Sequence, residues 1–239
     1  MEYRIEQDTP SYLCDRHDRL HLWAAVRLCQ EVSEYHSNST GVGFEQLMQT
    51  HRAWVIARSY YMIYRRPKAF ERIMLSTWYR GNDGLFAFRD YRMTTPEGEV
   101  LLTGTSYWPL IDFDTRRAIR LKDTLSHEES YPVAATDREA LGKLVPPEMS
   151  ATDQVATRQV VHSMLDHTQH VNNSEYIKLV FDTLDATHFD SDHPFSIEMN
   201  FQHESKLDET LSVWRKTIDN TDWFQIFNSR GIAAIAKIN

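Results

Sequence analysis

At 239 residues, with 41% hydrophobic and 25% charged residues, the chain is long enough for one large or two small packed domains and is no disordered polymer. A net charge of −8 argues against nucleic-acid binding, since nothing beyond short local clusters would attract phosphate. Two cysteines, Cys14 and Cys29, make neither a disulfide framework nor a zinc set and fit reduced thiols in the cytosol, and no apolar run reaches the ~20 residues that span a bilayer.

The charged start, Met1-Glu2-Tyr3-Arg4-Ile5-Glu6, has no apolar signal segment. A polar turn, Asp15-Arg16-His17-Asp18-Arg19, feeds a helix in which Leu22, Trp23, Ala24, Ala25, Val26, Leu28, Cys29 and Val32 make nearly every face apolar. Such a helix is expected to be fully buried. Strands are predicted over 58–64 and 73–78, then a turn at 81–84 (GNDG), an aromatic strand at 85–93 and a β-rich stretch at 100–110. Residues 121–154, with Pro132 and Pro146-Pro147, interrupt this pattern and read as a linker with a short helix over 137–144.

The order then recurs. Asp166-His167-Thr168-Gln169-His170-Val171 is a second polar turn, and Ile177, Val180, Phe181 and Leu184 place an apolar stripe on the helix behind it. Strands follow at 196–201 and 210–214, then a turn at 219–222 (DNTD) and strands at 223–227 and 232–238. One helix followed by an antiparallel meander is a helix wrapped in a curved sheet. The expected fold class is α+β, two hotdog units in tandem, with two helix-wrapped antiparallel sheets joined into one continuous sheet. Residues 1–130 form the first unit, 131–152 the linker and 153–239 the second.

Several residues of the second turn have ordinary explanations. Asp166 can be a turn or cap residue, and Asn172 and Asn173 commonly stabilise helix starts. Glu204 alone would be a solvated strand glutamate. His162, His167 and His170 have no recognised metal-ligand spacing; there is no G-x-S-x-G elbow and no glycine-rich phosphate loop.

The stretch LDHTQHVNNSEYI (165–177) resembles the Asp-x-Asn-x-His-Val-Asn-Asn-x-x-Tyr motif of the plant-type acyl-(acyl-carrier-protein) thioesterases, double-hotdog enzymes with bacterial relatives. RDYRMTTPEGEVLLTGTSYWPLIDFDTRR (89–117) is similar to that family's Thr-Gly-Glu-Val, Thr-Ser-x-Trp and Asp-Thr-Arg-Arg stretch. MNFQHESKLDETL (199–211) is similar to the strand bearing its Glu-Cys pair, here Glu204-Ser205. The resemblance covers nearly the whole chain in the same order. It implies a cytoplasmic hydrolase that releases free fatty acid from acyl-acyl-carrier protein in fatty acid biosynthesis, with no cofactor and no metal. The plant enzymes carry a transit peptide and this sequence does not, which points to a bacterial protein. Rival readings are an acyl-CoA thioesterase on the same scaffold and a non-catalytic acyl-thioester-binding protein.

The resemblance also implies catalytic roles for Asp166, Thr168, His170 and Glu204, with Ser205 and Asn172 as secondary candidates. Thr168 stands where the family usually has Asn, and Ser205 where the plant enzymes have Cys, which argues against a cysteine nucleophile. A thioester is already activated, so the enzyme must add a base, a positioned water and polarisation of the carbonyl. Glu204 is the expected base, His170 orients water or substrate, and Asp166 holds the turn. Thr168 either contacts the thioester carbonyl or braces the turn. Backbone N–H groups near His170 and Val171 would suit an oxyanion. The first turn (Asp15, Arg19) lacks the His and Glu, so its unit is expected to line the acyl tunnel. Tyr60, Tyr61, Tyr64, Phe86 and Phe88 read as sheet packing and pocket wall. Carrier proteins are acidic, and the densest basic clusters are Arg65-Arg66-Pro67-Lys68 and Arg116-Arg117 with Arg120 and Lys122. Arg65, Arg66 and Lys68 are expected to form the docking surface. No nucleic-acid partner and no membrane span are expected, and a homodimer is left open.

Overall fold

The computed structural model describes residues 1–125, 129–138, 140–185 and 193–239. The chain divides at Leu141/Gly142 into two units. The first runs β1 (Glu2–Asp8), α1 (Leu22–Ser39), the short α2 (Phe44–Met48), β2 (Arg52–Trp54), β3 (Arg58–Ile63), β4 (Arg72–Asn82), β5 (Phe86–Thr94), β6 (Val100–Asp112) and β7 (Ala118–Ile119). The second runs β8 (Gln154–Gln159), α3 (Asn173–Asp182), β9 (Phe195–Phe201), β10 (Thr210–Ile218), β11 (Thr221–Asn228) and β12 (Gly231–Ile238).

Each unit repeats one topology. The strand order is β1-β4-β5-β6-β3 in the first and β8-β10-β11-β12-β9 in the second, with antiparallel neighbours throughout. The outer strands β1 and β8 extend the expected meander. In β1, Tyr3 and Ile5 alternate with charged residues, the period-2 pattern of a half-buried edge strand. In β8 nearly every residue is exposed, which leaves no apolar alternation to detect. The turn between β10 and β11 has Asp219 and Asn220 at φ 47° and 61°, the paired left-handed geometry that matches the twist of a hairpin.

Helix α1 differs from the expectation of an all-round apolar helix. Leu22, Ala24, Ala25, Val26, Cys29, Val32, Ser33, His36 and Ser37 are buried, whereas Glu31 and Tyr35 are exposed, so after a first turn buried on most sides the burial follows one face. That is the 3.6-residue stripe of an amphipathic helix with one face on a sheet. The buried face is partly polar. Arg89 Nη1 lies 3.0 Å from His36 Nδ1, Arg89 Nη2 donates to Ser37 Oγ at 3.1 Å, and the Tyr3 ring stacks on His36. Burial, reinforced by the Arg89 guanidinium, lowers the His36 imidazole to about 4, which leaves Nδ1 as an acceptor.

The linker is an ordered strap. Among its described residues 137–144 form no helix. Instead the chain crosses the face of the first sheet turned away from α1. Tyr131 N donates to Tyr79 O (2.8 Å), Trp78 Nε1 to Val133 O (2.8 Å), Ala135 N to the buried Asp90 carboxylate (2.7 Å) and Leu141 N to Tyr107 Oη (3.1 Å). Side chains of the sheet thus satisfy a backbone that has no strand partner. Tyr60, Phe86 and Phe88 pack around Leu141 of this strap, on the face opposite α1. Tyr61 lies on the helix side against Gly104, where an added Cβ would meet its ring at 2.6 Å, and Tyr64 is exposed.

His36 makes part of the acid sensitivity predictable. Its folded value is depressed from 6.5 to about 4, so between those values the unfolded chain binds a proton that the folded chain does not. This contribution is full above the unfolded value and is lost as pH falls through the folded one. Between neutral pH and about pH 4, His36→Gln should therefore lose less stability than the parent, by up to about 3 kcal/mol, measured by urea denaturation at both ends.

Candidate active site

The turn before α3 is built around one carboxylate. Asp166 N donates to His170 O (2.9 Å), and Gln169 takes the left-handed conformation (φ 65°) that lets the chain double back. Asp166 Oδ1 accepts from both Thr168 N (2.8 Å) and Thr168 Oγ1 (2.6 Å), an aspartate holding its own turn. Thr168 Oγ1 lies 3.2 Å from His170 Nδ1, and His170 Nε2 lies 3.1 Å from Glu204 Oε2. Four of the expected residues therefore form one line: Asp166, Thr168, His170, Glu204. The imidazole, in the middle of the line, is only 8% exposed, whereas Asp166, Thr168 and the glutamate (34%) are partly exposed. Thr168 braces the turn and the imidazole, which takes up its hydroxyl.

The other expected residues do different work. Asn172 caps α3, its Oδ1 accepting from Ser174 N (2.9 Å) and Ser174 Oγ (2.7 Å). Val171 N–H, expected near an oxyanion, is spent on Ser205 O at 2.9 Å. Ser205 is fully buried, and its Oγ accepts from Tyr176 Oη (2.8 Å) and Asn228 Nδ2 (2.9 Å). Its side-chain partners are thus a phenol and an amide, and neither is a base. Burial pushes the Tyr176 phenol up to about 12, so it remains a donor near neutral pH. Of the two donors to Ser205 Oγ, only Tyr176 is marked in the sequence. Tyr176 closes the 165–177 motif and carried a signal, whereas Asn228 reads only as a residue before a hairpin turn.

The first unit contains a replica of this turn with opposite electrostatics. Asp15 N donates to Arg19 O (2.8 Å), Asp18 has φ 60°, and Leu20 N donates to Pro67 O (2.8 Å). These match Asp166, Gln169, and the Val171–Ser205 bond. In this register Arg66 occupies the place of Glu204 and Arg19 that of His170. Arg66 Nη1 reaches Asp15 Oδ2 at 2.6 Å, with the two side chains 9% and 11% exposed. Burial pushes the Asp15 carboxyl up, but the backbone N–H groups of Arg19 and His17, followed by Arg66, outweigh it and hold the group below the usual carboxylate range.

Two of the three residues expected to form the docking surface are ion-paired within the fold. Arg66 points into the fold, and Arg65 is held between Glu71 (2.7 Å) and Glu99 (2.8 Å). Of the three residues only Lys68 is exposed, because two carboxylates and a buried partner already use the guanidinium charges.

Residues 1–128 match the acyl-ACP thioesterase N-terminal domain, and residues 148–233 match the acyl-ACP thioesterase C-terminal domain. The chain belongs to the acyl-ACP thioesterase family. Among relatives of this family, it is 26% identical to the chloroplastic oleoyl-acyl carrier protein thioesterase of Coriandrum sativum, over 88% of this chain and 62% of that protein. It is 28% identical to the chloroplastic dodecanoyl-[acyl-carrier-protein] hydrolase of Umbellularia californica, over 79% of this chain and 52% of that protein. The chain thus spans about half to three-fifths of the length of these curated relatives. In fold it is similar to the solved 12:0-ACP thioesterase of Umbellularia californica, with a TM-score of 0.86 at 20% identity, covering 100% of this chain and 96% of that one. An acyl-ACP thioesterase from Bacteroides thetaiotaomicron gives 0.83 at 18%, covering 99% and 96%. The double hotdog expected from the repeat is therefore the fold of this family member.

The replica turn should matter to folding alone. Asp15→Asn keeps the side-chain oxygen that accepts from His17 N and Arg19 N but removes the charge facing Arg66. It should cost about 2 kcal/mol in urea denaturation, with kcat of the folded variant unchanged. A fall in kcat with stability intact would instead place chemistry in the first unit.

Proposed function

We propose that this chain hydrolyses acyl-acyl-carrier protein, releasing free fatty acid for fatty acid biosynthesis, and that Asp166, Thr168, His170 and Glu204 carry the reaction. The observation that carries the reading is the 3.1 Å contact of the buried His170 Nε2 with the partly exposed Glu204 Oε2, in a line begun by Asp166. Glu204, a third exposed, is the base: its carboxylate takes a proton from the water that attacks the thioester carbonyl carbon. His170 Nε2, the ring nitrogen without a hydrogen, accepts a share of the proton that Glu204 acquires. Thr168 has one hydroxyl hydrogen, and with that hydrogen on Asp166 its oxygen accepts Nδ1–H of the imidazole. The negative charge of Asp166 then steadies the ring through the hydroxyl, and the ring's aim at Glu204 is set before substrate arrives.

The tetrahedral oxyanion collapses by breaking the C–S bond. The pantetheine sulfur leaves with the electron pair and regains the proton held by Glu204 and His170. Water and thioester become acid and thiol, with no covalent intermediate. Ser205, buried between a phenol and an amide, takes no part as nucleophile.

Hydrolysis rates on acyl-carrier protein and on acyl-CoA test the substrate. A higher kcat/KM for CoA would transfer the reading to that donor. Glu204→Gln and His170→Ala should each lower kcat by ~10²–10⁴ with the fold intact. Thr168→Val keeps the shape and removes the hydroxyl, and should cost about 10-fold. Activity of Glu204→Gln within a few-fold of the parent rules out Glu204 as the base.

With Arg65 and Arg66 engaged, the basic surface left for an acidic carrier is the β6–β7 hairpin. Arg117, Arg120 and Lys122 are exposed there and have no ion-pair partner among the described residues. Reversing all three charges should raise KM for acyl-carrier protein roughly 10-fold at low salt and fade as salt rises. KM for a small acyl-pantetheine should not move, and an equal rise on both substrates would exclude the hairpin as a carrier surface.

A further inference from the structure

The reacting pair sits on two separate pieces of chain, and something must set their separation. His170 is fixed by its own turn. Glu204 lies past the end of β9, where the last ladder bonds run from Gln202 N and His203 N to the one carbonyl of Ala233, at 2.8 and 3.2 Å. Beyond that point side chains hold the segment. Asn228 Nδ2 uses its two hydrogens on Glu204 O (3.1 Å) and Ser205 Oγ (2.9 Å), while its Oδ1 accepts from Arg230 N (2.9 Å). The amide is fully committed. Tyr176 Oη, from α3, donates to the same Ser205 Oγ at 2.8 Å, and Val171 N donates to Ser205 O at 2.9 Å. Ser205 is thus bound through both its carbonyl and its hydroxyl to the helix that follows His170, and through the hydroxyl to the β11–β12 turn.

We propose that Tyr176, Ser205 and Asn228 form a clamp that sets the distance between His170 and Glu204, with Tyr176 and Asn228 as positioning residues for the hydrolysis. The proposal rests on Glu204 and His170 being the reacting pair. The first unit supplies an internal control. Its backbone bond from Leu20 N to Pro67 O is the same as that from Val171 N to Ser205 O. At the serine position it has Pro67, with no hydroxyl, and five residues after Leu20, where the second unit has Tyr176, it has Ala25. The unit whose pair is a structural Asp15–Arg66 bridge has kept the backbone tie and lacks the clamp's donor and acceptor. Folding of the turn therefore does not require the clamp. What distinguishes the unit that has it is a histidine and a glutamate held at 3.1 Å.

Tyr176→Phe and Asn228→Leu test this from two different elements. Each should lower kcat on an acyl-pantetheine thioester by about 10-fold or more, since small misplacements of reacting groups are costly, with KM within about two-fold. Combined with Glu204→Gln, either change should cost almost nothing further, because the residue it positions is gone. A merely structural role would give losses that track thermal stability and add fully in the Glu204→Gln background. Normal kcat in both single variants, with Glu204→Gln inactive, overturns the clamp and leaves the catalytic pair standing. An active Glu204→Gln overturns both.

Discussion

One backbone hydrogen bond per unit ties the front of the helix to the segment beyond the end of a strand, β3 or β9: Leu20 N to Pro67 O in the first and Val171 N to Ser205 O in the second. Each sits just after an aspartate-centred turn with one left-handed residue, Asp18 or Gln169. With the helix start fixed against that segment, the residue before the bonded carbonyl faces the turn. That residue is Arg66 in one unit and Glu204 in the other. The same scaffold therefore presents two side chains to each other at a fixed place, and the fate of the place is decided by which two they are.

In the first unit the pair is a carboxylate and a guanidinium, mutually satisfied and almost closed to solvent. Such a bridge is inert in proton transfer, because a guanidinium does not give up its proton to a carboxylate. In the second unit the aspartate turns to a threonine hydroxyl, the imidazole stands between, and the glutamate meets it from the solvent side. A carboxylate opposite a titratable ring can exchange a proton where a carboxylate opposite arginine cannot. Divergence at three positions, His17/Thr168, Arg19/His170 and Arg66/Glu204, separates a structural lock from a candidate site.

The repeat and most strands were legible because they are carried by local pattern. Period-2 alternation, GNDG and DNTD turns and the apolar stripe of α3 all lie within a few residues of one another. The strap was not legible. Its backbone is satisfied by Trp78, Asp90 and Tyr107, residues 34 to 55 positions away, and its own composition has no period. The partial burial of α1 is hidden for the same reason: Trp23 and Leu28 widen the apolar surface but are only half-buried, and Glu31 and Tyr35 stay exposed.

The amino-acid sequence by itself determined the two-fold repeat, the family and the set of Asp166, Thr168, His170 and Glu204, since motif spacing survives in one dimension. It also contained the arginines at 65 and 66, but not their use, because an ion pair depends on what the fold brings within about 4 Å. Only the tertiary structure turned Arg66 inward onto Asp15, spent the Val171 N–H on Ser205, and gathered Tyr176 and Asn228 around one buried hydroxyl. Those contacts join residues 23 to 51 positions apart, and hydrogen bonds of that reach are set by packing rather than by neighbours in the chain.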